Sequence, residues 1–258
     1  MTEDVRRELL VKHPKPDPIN TDGLLSGELP PDVHPIAFAK IDAEAIKKFA
    51  LRSQGGAGIS QQEDNLWHKM VTGFKETSAN LCQAVSRLAI RLATELVDPK
   101  GLEAFLANRG IAIDKNPGIR PVGVGEMLRR ILGKAVMSVT EKDVQKAVGP
   151  LQLCAGQTAG VEAAIHAMRS LLADSSSEGV LLIDADNAFN RVNRQMALRN
   201  VQFTCPSMKF ILTNFYQSPS RVFMRGGDEV LKYYLKKEPL KDARYPWHST
   251  RLSLAPLV

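Results

Sequence analysis

Apolar residues recur at steps of three and four over much of this chain, which is the spacing of an amphipathic helix. The clearest case is residues 80–96, where Leu81, Val85 and Leu88 share one face and arginines alternate with them. The same pattern predicts helices over residues 41–51, 67–74, 80–96, 125–148, 161–172, 195–201 and 206–216. The body of the chain is therefore expected to be rich in helices.

Two stretches depart from the helical period. Residues 111–124 combine β-branched residues with Pro117-Gly118, which predicts two short strands joined by a turn. Residues 180–184, VLLID, form a continuous apolar run that ends on a carboxylate. Such a run is typical of a buried strand whose carboxyl end meets solvent. Helices and a few strands together predict an α+β fold.

The two ends of the chain differ from the body. Residues 1–35 hold six of the fifteen prolines. Because proline lacks an N–H donor and fixes its φ angle, we expect these residues to form a Pro-rich leader that is flexible or lies along the surface. Residues 237–258 show no convincing helical or strand period. We interpret them as an aberrant tail.

Composition places the chain among ordinary globular proteins. Hydrophobic residues make up 44% of it and charged residues 24%. No apolar stretch approaches the roughly 20 residues that cross a bilayer, and the first ten residues lack the apolar core of a signal peptide. We therefore expect an intracellular protein, cytoplasmic or nuclear, without a membrane partner. The widely spaced Cys82, Cys154 and Cys205 are expected to be reduced packing residues.

The positive charge lies in the body of the chain. The net charge is +6, yet residues 1–36 carry four basic and seven acidic side chains, so the remainder carries +9. This balance favours a polyanionic partner. Affinity for nucleic acid through phosphates alone is thus one hypothesis for function.

The residues with the clearest chemical potential follow the apolar run. An aspartate at the tip of a buried strand is held rigidly and points into a cleft, as the first ligand of a metal or phosphate site must be. Asp184 has this position in the sequence. An alternative is that it caps the turn or helix that follows.

The segment IDADNAFNRV, residues 183–192, resembles motif A of reverse transcriptases. By that resemblance Asp184 would be the catalytic, metal-binding aspartate and would hold Mg²⁺. Phe189 would be the aromatic residue that excludes a ribose 2′-hydroxyl. The implied reaction is RNA-directed DNA synthesis by two-metal nucleotidyl transfer, with an RNA template, a DNA primer and deoxynucleoside triphosphates as partners.

Three upstream segments are similar to reverse transcriptases of non-LTR retrotransposons. They are GAGIS at residues 56–60, DKNPGIRPVGVGEMLRRILGK at residues 114–134 and LQLCAGQTAGVEAAIHAMR at residues 151–169. The resemblance implies a partial right-hand polymerase fold with a helix-rich fingers region over residues 36–178. The first part of the palm would follow over residues 179–236.

The resemblance also assigns basic residues. Arg120 would contact the triphosphate of the incoming nucleotide, with Lys115 as a second contact. Arg129, Arg130 and Lys134 would contact the template backbone. The alternatives are a surface salt bridge for Arg120 and a solvated polar helix face for the other three.

Parts of the family pattern are missing. The sequence has no Asp-Asp pair for the later (F/Y)xDD motif and no Gln-Gly-x-Pro segment of motif B. A reading frame set back by one base from Lys237 permits GTTQGCPLPMAL, which matches motif B. We therefore expect that a frameshift, or a wrong gene model, produced the tail and truncated the chain before motif B. No polymerase activity is expected, because one aspartate cannot hold two metal ions.

Two other functions compete with this interpretation. In a haloacid-dehalogenase-like phosphotransferase, Asp184 would be the nucleophile and Asp186 the acid/base, but Asn187-Ala188 depart from that pattern. In a non-catalytic RNA- or DNA-binding protein, the basic fingers surface would act alone. Its affinity would then fall steeply with salt.

Overall fold

The computed structural model describes residues 2–12, 21–153, 158–174, 176, 179–184, 192–226 and 229–235. Within these ranges the α-helices are α1 Glu3–Lys12, α2 Ala43–Leu51, α3 Asp64–Thr72, α4 Glu76–Thr94, α5 Pro99–Leu102, α6 Met127–Val148, α7 Gly160–Ala173, α8 Arg194–Thr204 and α9 Lys209–Tyr216. Short 3₁₀ turns cover Thr21–Gly23, Pro35–Phe38 and Pro206–Met208. Every helix expected from the hydrophobic period is present, with ends shifted by a few residues.

Four strands form one mixed sheet among the described residues. They are β1 Asn108–Asp114, β2 Ile119–Val124, β3 Ser220–Gly226 and β4 Glu229–Leu235, in the order β2-β1-β3-β4. The β1–β2 and β3–β4 pairs are antiparallel, whereas β1 and β3 are parallel. The predicted hairpin is confirmed, and so is an α+β fold.

The main core lies between the helices. Helix α4 packs against α2, α3, α6 and α9. The first turns of α6, residues 127–137, are buried nearly all round, and Ile131, Leu132, Ala135 and Val136 are fully enclosed. A stretch surrounded in this way has no broad solvated face. Charged side chains on these turns therefore need hydrogen-bond partners within the protein.

Local sequence explains where the helices begin. Asp42 precedes α2, and its carboxylate accepts the N–H of Ala45 at 2.8 Å. Asp98 accepts the N–H of Lys100 at 2.9 Å and stands before Pro99, which opens α5. Both are N-cap arrangements that satisfy a free amide of the first turn.

The leader is more ordered than its proline content predicts. Helix α1 lies before the first of these prolines, so nothing blocks its hydrogen bonds. Further on, the buried amide of Asn200 accepts the N–H of Leu25 and donates to the carbonyl of Gly23. Asp32 forms an ion pair with Lys209 at 2.7 Å. The expectation of a leader without regular structure is wrong for α1, and these contacts hold residues 23–32 against the body.

The apolar run that precedes Asp184 is not a buried strand. Residues 179–184 lie outside every helix and strand, and Leu181, Leu182 and Ile183 are 83–88% exposed. A strand of this composition is buried only when neighbours cover its edges and both faces. None of the strands that the structure describes pairs with this segment. This part of the sequence interpretation is therefore wrong.

No described helix is both long and apolar enough to span a bilayer.

Candidate nucleic-acid interface

The β1–β2 hairpin holds two of the predicted site residues. Ile113 lies opposite Arg120 in the ladder, and the N–H of Lys115 donates to the carbonyl of Gly118 at 2.7 Å to close the turn. Because side chains alternate across a sheet, Lys115 and Arg120 lie on the same face as Ile113. Both cations are exposed, and neither side chain has a hydrogen bond or ion pair among the described residues. The salt bridge considered for Arg120 is absent there.

The opposite face of the hairpin is covered by α1. Leu9 is buried in a small cluster with Ile119, Val222 and Met224. The carboxylate of Glu8 accepts the N–H of Ile119 at 2.7 Å. This contact was not foreseen, although Val5 and Leu9 at helical spacing were available as a signal. One face of the hairpin is therefore closed and the other is open.

Pro121 fits its place at the edge of the sheet. The Lys115–Gly118 hydrogen bond sets the alternation of the ladder, so that residue 121 falls in a pair without hydrogen bonds to β1. Strand β2 is an edge strand, and an N–H at this position would point away from the sheet. Proline is tolerated there and blocks pairing with a further strand. The geometry of the edge strand thus explains why a proline can follow Arg120.

Arg130 and Lys134 anchor a loop to α6. The guanidinium of Arg130 donates to the carbonyls of Gln54, at 3.1 Å, and of Gly56. The ammonium of Lys134 donates to the carbonyl of Arg52 at 3.1 Å and to the Ser53 hydroxyl at 2.9 Å. The loop at residues 52–60 contains the GAGIS segment. Two segments whose contacting residues lie 74 to 82 positions apart in sequence therefore form one structural unit.

A second contact explains a glycine of this loop. Glu126, just before α6, accepts the N–H of Ser60 at 2.9 Å and also its hydroxyl. A Cβ on Gly58 would lie 2.7 Å from the Glu126 carboxylate carbon and 2.9 Å from its backbone nitrogen. Any larger residue would push the loop off the start of α6.

Arg129 lies inside the protein. It is 6% exposed, and its guanidinium carbon lies 5.3 Å from the ring centre of Phe215 and 5.7 Å from that of Tyr216. It also donates to the Asn108 side chain at 3.5 Å. Arg129 thus ties the start of β1 to α9.

The alternative of a solvated face does not hold for this part of α6. Arg129 and Arg130 are 6% and 3% exposed, because the loop, α9 and the sheet surround the first turns of the helix. Their donors contact acceptors of the protein itself, and so does Lys134. Contact with a template stays a prediction for these three residues, and the structure favours an anchoring role.

A cleft of about 810 Å³ opens where β1 and β3 separate. The two strands pair only through Asn108–Val222 and Arg109–Phe223. Beyond this point the walls include Arg109, Phe223 and Arg225, together with the loop that carries Ala57 and Ile59. Arg109 donates to the carbonyl of Ala57 at 3.0 Å. Sequence reasoning did not identify these cleft residues, since β3 carries no motif that marks it.

The predicted metal centre is not assembled by the described residues. Asp184 is exposed in the segment without regular structure, and Phe189 and Asp186 lie outside the described residues, as does the tail at 237–258. Within the described ranges, no group of three or more His, Cys, Asp or Glu side chains could hold a metal ion. These residues do not fit a two-metal site, which needs carboxylates in fixed positions.

The described cysteines are buried and unpaired with one another. Burial raises the pKa of the Cys82 and Cys205 thiols. For both residues this agrees with the expected packing role, while Cys154 lies outside the described residues. A raised pKa suppresses the thiolate, so neither thiol is suited to nucleophilic chemistry.

No protein-family model matches this chain, and no curated protein sequence matches it.

Proposed function

We propose that this chain is the fingers region and first part of the palm of a non-LTR retrotransposon reverse transcriptase, and that it binds single-stranded nucleic acid without completing DNA synthesis. The order of the four similar segments supports the family. The β1–β2 hairpin supports the binding function. The alternative of a haloacid-dehalogenase-like enzyme gains no support from an exposed Asp184.

The observation that carries the proposal is the open face of the hairpin. Lys115 and Arg120 lie there without a protein partner among the described residues, beside the exposed Ile111 and Ile113. Cations on a rigid support suit phosphate oxygens, and apolar side chains suit the faces of bases. Arg120 can grip a phosphate in two hydrogen bonds, whether it belongs to a strand or to a nucleoside triphosphate.

The neighbouring cleft extends this surface. Arg109 lies on the same strand face as Lys115 by the alternation of β1, and Phe223 stands opposite it. An aromatic side chain between arginines offers a stacking position for one base of a bound strand. Such binding reads little sequence, because every base has an aromatic face.

DNA synthesis would need groups that the described residues do not supply. The Mg²⁺ ions implied by the resemblance require further carboxylates beside Asp184. We therefore expect no primer extension by this chain on an RNA template with Mg²⁺ and deoxynucleoside triphosphates. Formation of an extended primer would contradict the proposal that the palm is incomplete.

The binding function is tested by titrating a labelled single-stranded RNA at several salt concentrations. Replacing both Lys115 and Arg120 by alanine removes up to two phosphate contacts. The slope of log affinity against log salt should then fall in magnitude by roughly 1.4 for a single strand. The matched control is Lys142→Ala with Lys146→Ala, which removes the same charge from the far end of α6. Equal effects of the two double variants, or flat binding over salt, would overturn the proposal.

The origin of the tail has its own test. The transcript across codons 225 to 258 should spell the motif B peptide in the frame set back by one base. An unrelated peptide in that frame would end the frameshift hypothesis and leave the binding function to be judged alone.

A further inference from the structure

Helix α7 has an apolar stripe that the rest of the chain leaves exposed. Val161, Ile165 and Leu172 lie along it at helical spacing and are 48–58% exposed. Ala164 and Met168 fill the stripe between them. A surface helix of a globular protein buries such a stripe against a neighbour. The sequence of α7 is therefore suited to a partner that the described part of the chain does not provide.

Further apolar side chains are exposed beyond the stripe. Leu171 is 59% exposed near the end of α7, and Val180, Leu181, Leu182 and Ile183 are 45–88% exposed. A monomer rarely exposes an apolar patch larger than a few hundred Å². These side chains are therefore suited to a protein interface.

Two charges flank the stripe in a self-complementary way. Glu162 and Arg169 are seven residues apart, so they lie on the same flank of α7, two turns from each other. Both are exposed, and neither has an ion pair among the described residues. The opposite flank carries Ala167 and Leu171, which are uncharged.

Helix direction decides which flanks meet. When two copies of a helix pack antiparallel about a two-fold axis, each flank meets its own copy. Glu162 of each copy then faces Arg169 of the other, and two equivalent ion pairs form. In a parallel pair this flank would meet the uncharged flank, and no ion pair would form.

We propose that α7 and residues 180–183 form the interface with a second copy of this chain, with the two α7 helices antiparallel. The two-fold axis passes midway between Glu162 and Arg169, close to Ile165 and His166. This inference does not rest on the proposed nucleic-acid binding, because Lys115 and Arg120 lie on a different element.

The first test is the oligomeric state of the full chain by sedimentation velocity over a range of concentrations. The wild-type chain should form a dimer, and Ile165→Glu should weaken it at least about tenfold. The matched control is Ile36→Glu, at a residue that is 74% exposed far from α7 in the sequence. It should leave the dimer unchanged.

The second test probes the helix direction. Glu162→Arg and Arg169→Glu should each weaken the dimer about fivefold, because each places like charges together at two sites. The double variant exchanges the two charges and should restore the wild-type affinity to within about twofold. Circular dichroism of each variant checks that α7 keeps its helix, so a loss of folding is not mistaken for a loss of contact.

Each alternative occupant gives a different result. A wild-type chain that stays monomeric at high concentration overturns the proposal and leaves the face for another polypeptide. Large assemblies whose size is the same in the α7 variants also overturn the proposal. A dimer weakened by both single reversals but not restored by the double variant contradicts the antiparallel arrangement.

Discussion

The helical body buries charged side chains, whereas residues 158–174 and 179–184 expose apolar ones. In the body, arginines are buried beside carbonyls and aromatic rings, as Arg129 and Arg130 show. In the other segment, leucines and an isoleucine face solvent, and Leu182 is 88% exposed. A neighbour of matching chemistry therefore decides burial, because polarity alone would place the arginines outside and the leucines inside.

Truncating one leucine in each region should give the largest difference in stability. Leu132→Ala removes a fully buried side chain of α6 and should lower the free energy of unfolding by about 2–5 kcal/mol. Leu182→Ala should change the stability of the monomer by less than about 0.5 kcal/mol. Urea denaturation at low protein concentration measures both. A large loss for Leu182→Ala would mean that residue 182 is buried in solution.

Arg130 tests the anchoring of the loop at residues 52–60. Arg130→Ala leaves the carbonyls of Gln54 and Gly56 without their donor, and we expect a loss of about 2–3 kcal/mol. Arg87→Ala, on the exposed side of α4, is the matched control and should cost less than about 0.5 kcal/mol. Hydrogen exchange of the loop amides should increase in the first variant only. If Arg130→Ala and Arg87→Ala are equally stable, the Arg130 side chain is solvated and does not anchor the loop.

Arg129 should show a smaller effect of the same kind. Arg129→Lys keeps the charge but loses the planar group that lies over Phe215 and Tyr216. The expected loss is about 1–2 kcal/mol in the free energy of unfolding. Arg87→Lys is the control, and its stability should not change measurably. If Arg129→Lys also leaves the free energy of unfolding unchanged, the ring contacts do not contribute to stability.

The sequence predicted best the elements that depend on local signals. Helices α4 and α6 followed from apolar spacing, and the hairpin followed from Pro117-Gly118 between β-branched residues. Lys115 and Arg120 are exposed on this hairpin, and their contact with a nucleotide stays a prediction. These features need no knowledge of distant parts of the chain.

The errors share one cause, which is a partner far away in sequence. Arg130 looks solvated on a helical wheel, because the wheel does not show the loop at residues 52–60 beside it. The run ending at Asp184 looks like a buried strand, because the pattern cannot show whether strands exist to cover it. Helix α1 was overlooked although Val5 and Leu9 marked it, since the prolines that follow it dominated the interpretation of the leader.

The smallest effect concerns a buried thiol of the body. Burial raises the pKa of Cys205 in the folded state, so its contribution to stability is fully present below the pKa of the unfolded thiol, about 8.5. That contribution is lost as the pH rises through the higher folded pKa, because only the unfolded chain releases the proton easily. The free energy of unfolding should therefore fall above about pH 8.5, and Cys205→Ala should make the fall shallower. Urea titrations between pH 7 and 10 measure it. If the free energy of unfolding falls with pH equally steeply in the variant, Cys205 reaches solvent. The helical body is then less closed around this residue than its burial indicates.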